Sequence, residues 1–293
     1  MNKRSTGEKI FAVFNAIILT ILLVCTLYPC LYVVFAAFSD PMEFYRSGKL
    51  LIKPAGFSLA SFKSVFQNNQ IWIGYGNTIY YTVVGTTISV FFTVIAAYCL
   101  SRKNLPGKNF IVMAMMFTMY FGGGMIPNYL VVRTLGLLDT RGAMIIPHMI
   151  NTYNFIIVLT YFKGIPESLE EAAVIDGANE FTVLFKILLP LSKPVVSVIA
   201  LYYMVAIWNN FMSALLYINT PSKYPLQLIL REILFQGAMD AQTGNASQID
   251  GAQANEETIK YAVMVVSTVP ILCVYPFIQR YFVKGVMIGA VKG

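Results

Sequence analysis

The chain has 293 residues, 57% of them apolar and only 12% charged, with a formal net charge of +7. Soluble domains carry about a quarter charged residues, so this composition excludes a soluble protein and indicates a polytopic membrane protein. The basic residues lie mainly between and beside apolar runs, where membrane orientation and anionic headgroups account for them and no nucleic acid is implied.

The N-terminus, MNKRSTGEK followed by an apolar run, resembles a signal peptide. No small-residue cleavage site follows, and the run outlasts a typical h-region of about 7–15 residues, so it reads as an uncleaved first span. A helix needs about 20 apolar residues to cross the hydrocarbon. Six stretches are read on that basis as transmembrane helices: residues 11–38, 77–100, 110–125, 143–162, 194–217 and 261–282. The first is overlong and carries Pro29 as an expected kink; the third is short and runs into Gly122-Gly123-Gly124. The four cysteines (Cys25, Cys30, Cys99, Cys273) sit inside apolar runs with no disulfide or zinc spacing, and read as small buried side chains.

Six spans place both termini on one side. The N-terminal tail (Lys3, Arg4, Lys9), the loop after the second span (Arg102, Lys103, Lys108) and the C-terminus (Arg280, Lys284, Lys292) are basic, which puts them in the cytoplasm. Arg46, Lys49, Lys53 and Lys63 on the other side reduce the contrast. Outside, residues 39–72 hold SLASFKSVFQ, whose Leu59, Phe62 and Phe66 recur at helical spacing behind Ser58 and predict a short interfacial helix. Residues 125–141 read as a broken helix, and residues 218–259 as a large external loop that becomes polar and slightly acidic.

Between the fourth and fifth spans lies a polar, amphipathic insert, residues 164–193, containing EAAVIDGANEFTVLFKILLP. It predicts two short helices. The first follows Gly164, with Pro166 and the acids Glu167, Glu170 and Glu171 near its start and Gly177 as its stop. The second starts from Asn179 as N-cap, with Phe181, Leu184, Phe185 and Leu188 as an apolar stripe, and is stopped by Pro190. Ala172 and Ala173 are small enough to let another surface approach. From the residues alone, a docking element and a partnerless interfacial helix both fit.

The spacing of Glu171-Ala172-Ala173, three residues, Gly177, nine residues, then Ile187-x-Leu189-Pro190 resembles the EAA loop of the permease subunits of binding-protein-dependent ABC importers. From residue 77 onward the chain is similar to maltose-type carbohydrate permeases, in GGGMIPNYLVVRTLGLLDT, in Trp208-Asn209-Asn210-Phe211 and in the terminal FVKGVMIGAVKG. The resemblance implies an all-α integral membrane protein of the type I ABC importer permease fold. It would be a single permease domain of six transmembrane helices in the bacterial cytoplasmic membrane. Glu171, Ala172, Ala173, Asp176, Gly177, Ile187, Leu189 and Pro190 would couple to one of two cytoplasmic ATPase subunits. Gly289, Val291, Lys292 and Gly293 would form a tail against the same ATPases. A second homologous permease and an extracellular solute-binding protein, probed by residues 218–259, complete the implied assembly.

The chain contains no G-x-x-x-x-G-K-[ST] loop, so ATP and magnesium belong to the partner ATPase and this chain carries no cofactor. Its single histidine excludes H-E-x-x-H chemistry, and an enzyme reading has no residues to use. A carbohydrate path needs amides, hydroxyls and aromatic faces rather than fixed charges. Asn77, His148, Asn151, Asn154, Trp208, Asn209 and Asn210 are the candidates, with His148 and Asn151 three apart on one helix face. Interhelical hydrogen bonding would use the same residues, at about 0.6 kcal/mol each.

Overall fold

The computed structural model describes residues 6–48, 50–102, 105–243, 257–274 and 276, with the backbone alone for 236–243. The chain divides into two units, Met1–Asn69 with Glu232–Val269, and Gln70–Arg231 with Pro270–Gly293.

In the first unit α1 (Thr6–Ala37) is apolar on every side, and only Ala36 and Ala37 are buried. Its 32 residues reach about 48 Å, more than a bilayer's hydrocarbon thickness of about 30 Å. Pro29 lies within the helix without ending it. Asp40 then caps α2 (Pro41–Arg46) by accepting from the backbone N–H groups of Met42 and Glu43. In α3 (Ala60–Gln67) the buried side chains are Ser61 and Val65, while Leu59 and Phe66 are exposed. The predicted helix is present, and of its apolar stripe Phe62 is half-buried against the Phe38 ring while Leu59 and Phe66 stay exposed. Lipid does not drive apolar side chains inward, whereas the Ser61 hydroxyl needs a partner and finds Thr258 Oγ1 at 2.8 Å. Thr258 lies on α13 (Glu257–Val274), whose Tyr261 ring meets Tyr32 and Phe44 edge-on.

The second unit is built on α4 (Asn69–Ser101), 33 residues long. Next come α5 (Lys108–Tyr120), α6 (Met125–Thr134) and two 3₁₀ turns, Arg141–Met144 and Ile146–His148. The chain continues through α7 (Thr152–Lys163), α8 (Ser168–Ile175), α9 (Glu180–Leu191), α10 (Lys193–Trp208), α11 (Met212–Tyr217) and the first residues of α12 (Leu226–Thr243), which belongs to the first unit from Glu232 on. Phe155, Val158, Leu159 and Phe162 of α7 pack with Val94, Ala97 and Tyr98 of α4, Val183, Leu184 and Leu188 of α9, and Ile199 of α10.

Among the described residues three helices, α1, α4 and α13, are individually long and apolar enough to cross a membrane. The predicted span 143–162 is bent by 48° between the 3₁₀ turns and α7. The predicted span 194–217 is interrupted after Trp208, and α11 resumes at Met212. α5 stops at Tyr120, giving about 20 Å of helix. The four cysteines are exposed, not buried: in an apolar solvent a small apolar side chain gains nothing by turning inward.

Candidate functional site

The predicted insert forms two helices held by local chemistry. At the end of α8 the Ala178 N–H donates to the Ala173 carbonyl (2.9 Å) and the Gly177 N–H to that of Val174 (3.0 Å). This is a Schellman stop, and it requires the left-handed φ of +83° that Gly177 adopts. Asn179 Oδ1 accepts from the Thr182 N–H at 2.8 Å and starts α9. The middle of α9, Val183–Leu188, is π-helical. Pro190 has no N–H to give to residue 186, and the wider turn absorbs the misfit, with the Leu189 N–H donating to Leu184. The wider turn also alters the predicted stripe: Leu184 and Leu188 are buried, whereas Phe181 and Phe185 are exposed.

The EAA residues divide in the same way. Glu171, Ala172, Asp176, Gly177 and Pro190 are exposed, while Ile187 and Leu189 are half-buried against the core. Ala173 is 7% exposed and packs into its own chain, so its small size serves an internal contact rather than an approaching partner. Ile175 is 85% and Phe181 74% exposed, which leaves an apolar outer face on the insert.

Arg102, which the sequence presents only as a topology signal, ties the insert to the end of α4. Its guanidinium pairs with Glu170 of α8, lies 3.6 Å from Glu180 Oε2 of α9, and stacks 3.9 Å from the Tyr98 ring centroid. The Tyr98 hydroxyl donates to the Glu180 carboxylate, and Tyr161 donates to the Leu191 carbonyl at the far end of α9 (3.0 Å). A cleft of about 1050 Å³ opens here, lined among others by Arg102, Lys108, Lys163, Glu167 and Glu171.

A second constellation forms where the two interrupted helices meet. His148 ends a 3₁₀ turn and Asn151 caps α7, so the two do not share a helix face; Pro147 and the break at residues 149–151 separate them. His148 Nε2 lies 2.9 Å from Ser213 Oγ, which also accepts from Asn210 Nδ2 at 2.9 Å. The Asn151 N–H donates to the Tyr203 hydroxyl (2.8 Å), which is 2.7 Å from Thr93 Oγ1. Asn154 and Trp208 are buried at 4% and 6% exposure, and Asn209 turns back onto the Val205 carbonyl. Non-helical backbone at membrane depth needs such protein or cavity surroundings, and broken helices are where transporters place polar sites. Asn77 stands apart from this group. Its amide nitrogen donates to the carbonyls of Ser222 (2.8 Å) and Tyr224 (3.0 Å), so both donors are spent on the chain itself.

Beyond Asn77 the loop before the 3₁₀ turns is clasped to the loop after α11. Asp139, with a φ of 54°, accepts from the N–H groups of Asn219 and Thr220, the Thr220 hydroxyl and the Lys223 ammonium. The Thr220 hydroxyl first, then those backbone donors and Lys223, hold the Asp139 carboxyl well below the usual carboxylate range. A depressed carboxylate stabilises the fold above its ordinary value, about 3.9, and loses that contribution as pH falls toward the lower folded value. Melting curves of the purified protein should therefore drop between about pH 4 and pH 2, and Asp139→Asn should remove that acid-dependent component. An unchanged acid profile in the variant would detach the clasp from stability.

Residues 109–288 match the family described as binding-protein-dependent transport system inner membrane component. Protein LplC of Bacillus subtilis is 44% identical over 97% of this chain and 96% of its own length. The polygalacturonan/rhamnogalacturonan transport system permease protein YtcP of the same organism is 43% identical, over 92% of this chain and 94% of that protein. A crystal structure of a bacterial ABC transporter involved in import of the acidic polysaccharide alginate superposes with a TM-score of 0.87 at 33% identity. That match covers 96% of this chain and all of the other. With the EAA spacing folded as two capped helices, these matches establish that the chain belongs to the inner membrane components of binding-protein-dependent transport systems, the permease subunits of ABC importers.

Proposed function

We propose that this permease imports an oligosaccharide, driven by ATP hydrolysis on two cytoplasmic ATPase subunits that the chain itself does not contain. One observation carries the reading. The insert is fastened to the transmembrane body through Arg102, Tyr98 and Tyr161, yet it keeps Glu171, Ala172, Ile175 and Phe181 exposed. α9 also bends 84° away from α10, as a helix lying along a membrane surface would. An exposed apolar face on a rigid element outside the hydrocarbon suits a protein partner. The resemblance of the loop supports reading that partner as the ATPase, which would bring its own ATP and magnesium.

In this reading six spans cross the cytoplasmic membrane with both termini inside. A second permease completes the pathway, and an external solute-binding protein delivers the sugar to the outer loops. The tail residues Gly289, Val291, Lys292 and Gly293 would reach the ATPases; they lie outside the described residues. Closure of the ATPases moves the insert, and the spans rock about a midplane cavity between the interrupted helices. The relatives named for polygalacturonan and alginate favour an oligosaccharide cargo.

The test is Glu171→Arg in the complete importer. ATPase association should weaken at least tenfold and uptake should fall with it, because a charge that meets a cation in the docking cleft has been reversed. Wild-type association and uptake would remove Glu171 from the coupling role.

A further inference from the structure

Several exposed hydroxyls of the apolar helices hydrogen-bond back onto their own chain. Thr20 donates to Ala16, Thr26 to Leu22, Thr87 to Val83, Ser197 to Lys193 and Thr268 to Met264, all at 2.8–2.9 Å. This satisfies a hydroxyl that faces lipid.

The opposite face of α4 behaves differently. Thr78, Thr82, Thr86, Ser89 and Thr93 recur at intervals of four, four, three and four, and all are buried. The row is engaged at both ends, where Thr78 Oγ1 accepts from the Leu226 N–H and Thr93 pairs with Tyr203. Between them Thr82 and Thr86 are 6% and 9% exposed, and among the described residues their Oγ1 atoms have no hydrogen-bond partner. Their position is set by Gly85 on the same face. A Cβ there would lie 2.9 Å from Ile207 Cδ1 and 3.8 Å from Ile145 Cγ1. Ile207 precedes the break after α10 and Ile145 the break before α7. Gly85, which lies between the two unpaired hydroxyls on the buried side of α4, thus packs against residues that flank both breaks.

We propose that Thr82 and Thr86 contact the solute in the translocation pathway, exchanging hydrogen bonds with carbohydrate hydroxyls and, between transport cycles, with water. A buried hydroxyl left unpaired is costly. A polyhydroxylated solute supplies both a donor and an acceptor to each threonine without requiring a charge. This inference rests on the carbohydrate-import reading.

Two measurements on the complete importer in proteoliposomes test it. The first follows uptake of oligosaccharides cut from polygalacturonan and from alginate. Thr82→Val with Thr86→Val should raise the uptake KM at least tenfold while the melting temperature stays level or rises, because a methyl replaces an unpaired hydroxyl. The Thr82→Ser and Thr86→Ser variants should keep uptake, and lipid-facing Thr87→Val should not alter it. A KM within twofold of wild type in the double valine variant overturns the proposal. The second measurement needs no solute. In a cysteine-free background, Thr82→Cys and Thr86→Cys should react with a small charged thiosulfonate from water, whereas Val83→Cys should not. No labelling at either threonine position overturns the proposal. A wild-type importer that takes up neither oligosaccharide, with labelling intact, counts against the cargo reading and leaves the hydrated threonine row standing.

Discussion

An importer carrying Arg102→Glu should lose at least nine-tenths of its uptake, and adding Glu170→Arg should restore about half of that loss. The reason is that one side chain at the end of α4 holds both helices of the insert. The Arg102 and Glu170 side chains are only 25% and 21% exposed, so their charge-assisted hydrogen bond is partly shielded from water and stabilises by about 1.5–3 kcal/mol. Glu180 is 70% exposed, and its looser 3.6 Å contact adds little. Glu170 therefore dominates, and the swap need only rebuild that pair. With Arg102→Glu, like charges push α8 away from α4 while the core of Ala97, Phe162 and Leu188 remains. The assembly should still form and hydrolyse ATP, with fewer sugar molecules moved per ATP. The ratio of uptake to hydrolysis is the measurement that decides. If both fall in proportion, Arg102 serves folding alone; if neither falls, the tether does not transmit motion.

Asn77→Leu should lower the melting temperature by about 5 °C or more without altering the KM for uptake. Asn77 is 4% exposed and spends both amide protons on the carbonyls of Ser222 and Tyr224. Leucine fills a similar volume but gives up both of these part-buried hydrogen bonds, at about 1 kcal/mol each. Tyr81, donating to the Lys223 carbonyl at 2.9 Å, holds the same loop and limits the loss. A raised KM with unchanged melting would return Asn77 to the solute path.

How far the sequence alone reaches can be judged at particular residues. The insert was legible because local chemistry specifies it: Gly177 supplies the left-handed stop and Asn179 the cap, and neither depends on what packs nearby. Composition alone determined the membrane class, and fixed spacing determined the family. The facing of side chains was another matter. The predicted apolar stripe is split, with Phe181 and Phe185 facing outward and Leu184 and Leu188 buried, and the π-turn ahead of Pro190 interrupts the α-helical period within it. The four cysteines are exposed where the sequence predicts burial, and Ala173 turns in. In water an apolar pattern points to the core, but in lipid both sides of a helix are apolar, so hydrophobicity does not decide which side is buried. The polar residues have to be placed by their partners, and those lie far along the chain. Asn77 is separated by 145 residues from Ser222, Arg102 by 68 from Glu170, and His148 by 65 from Ser213. The sequence by itself determined what kind of protein this is and marked the insert as its family signature. Only the tertiary structure decided which polar groups are consumed in holding it together and, among the described residues, that the Thr82 and Thr86 hydroxyls are among those left unpaired, because hydrogen-bond satisfaction is a property of the packed assembly and not of any single segment.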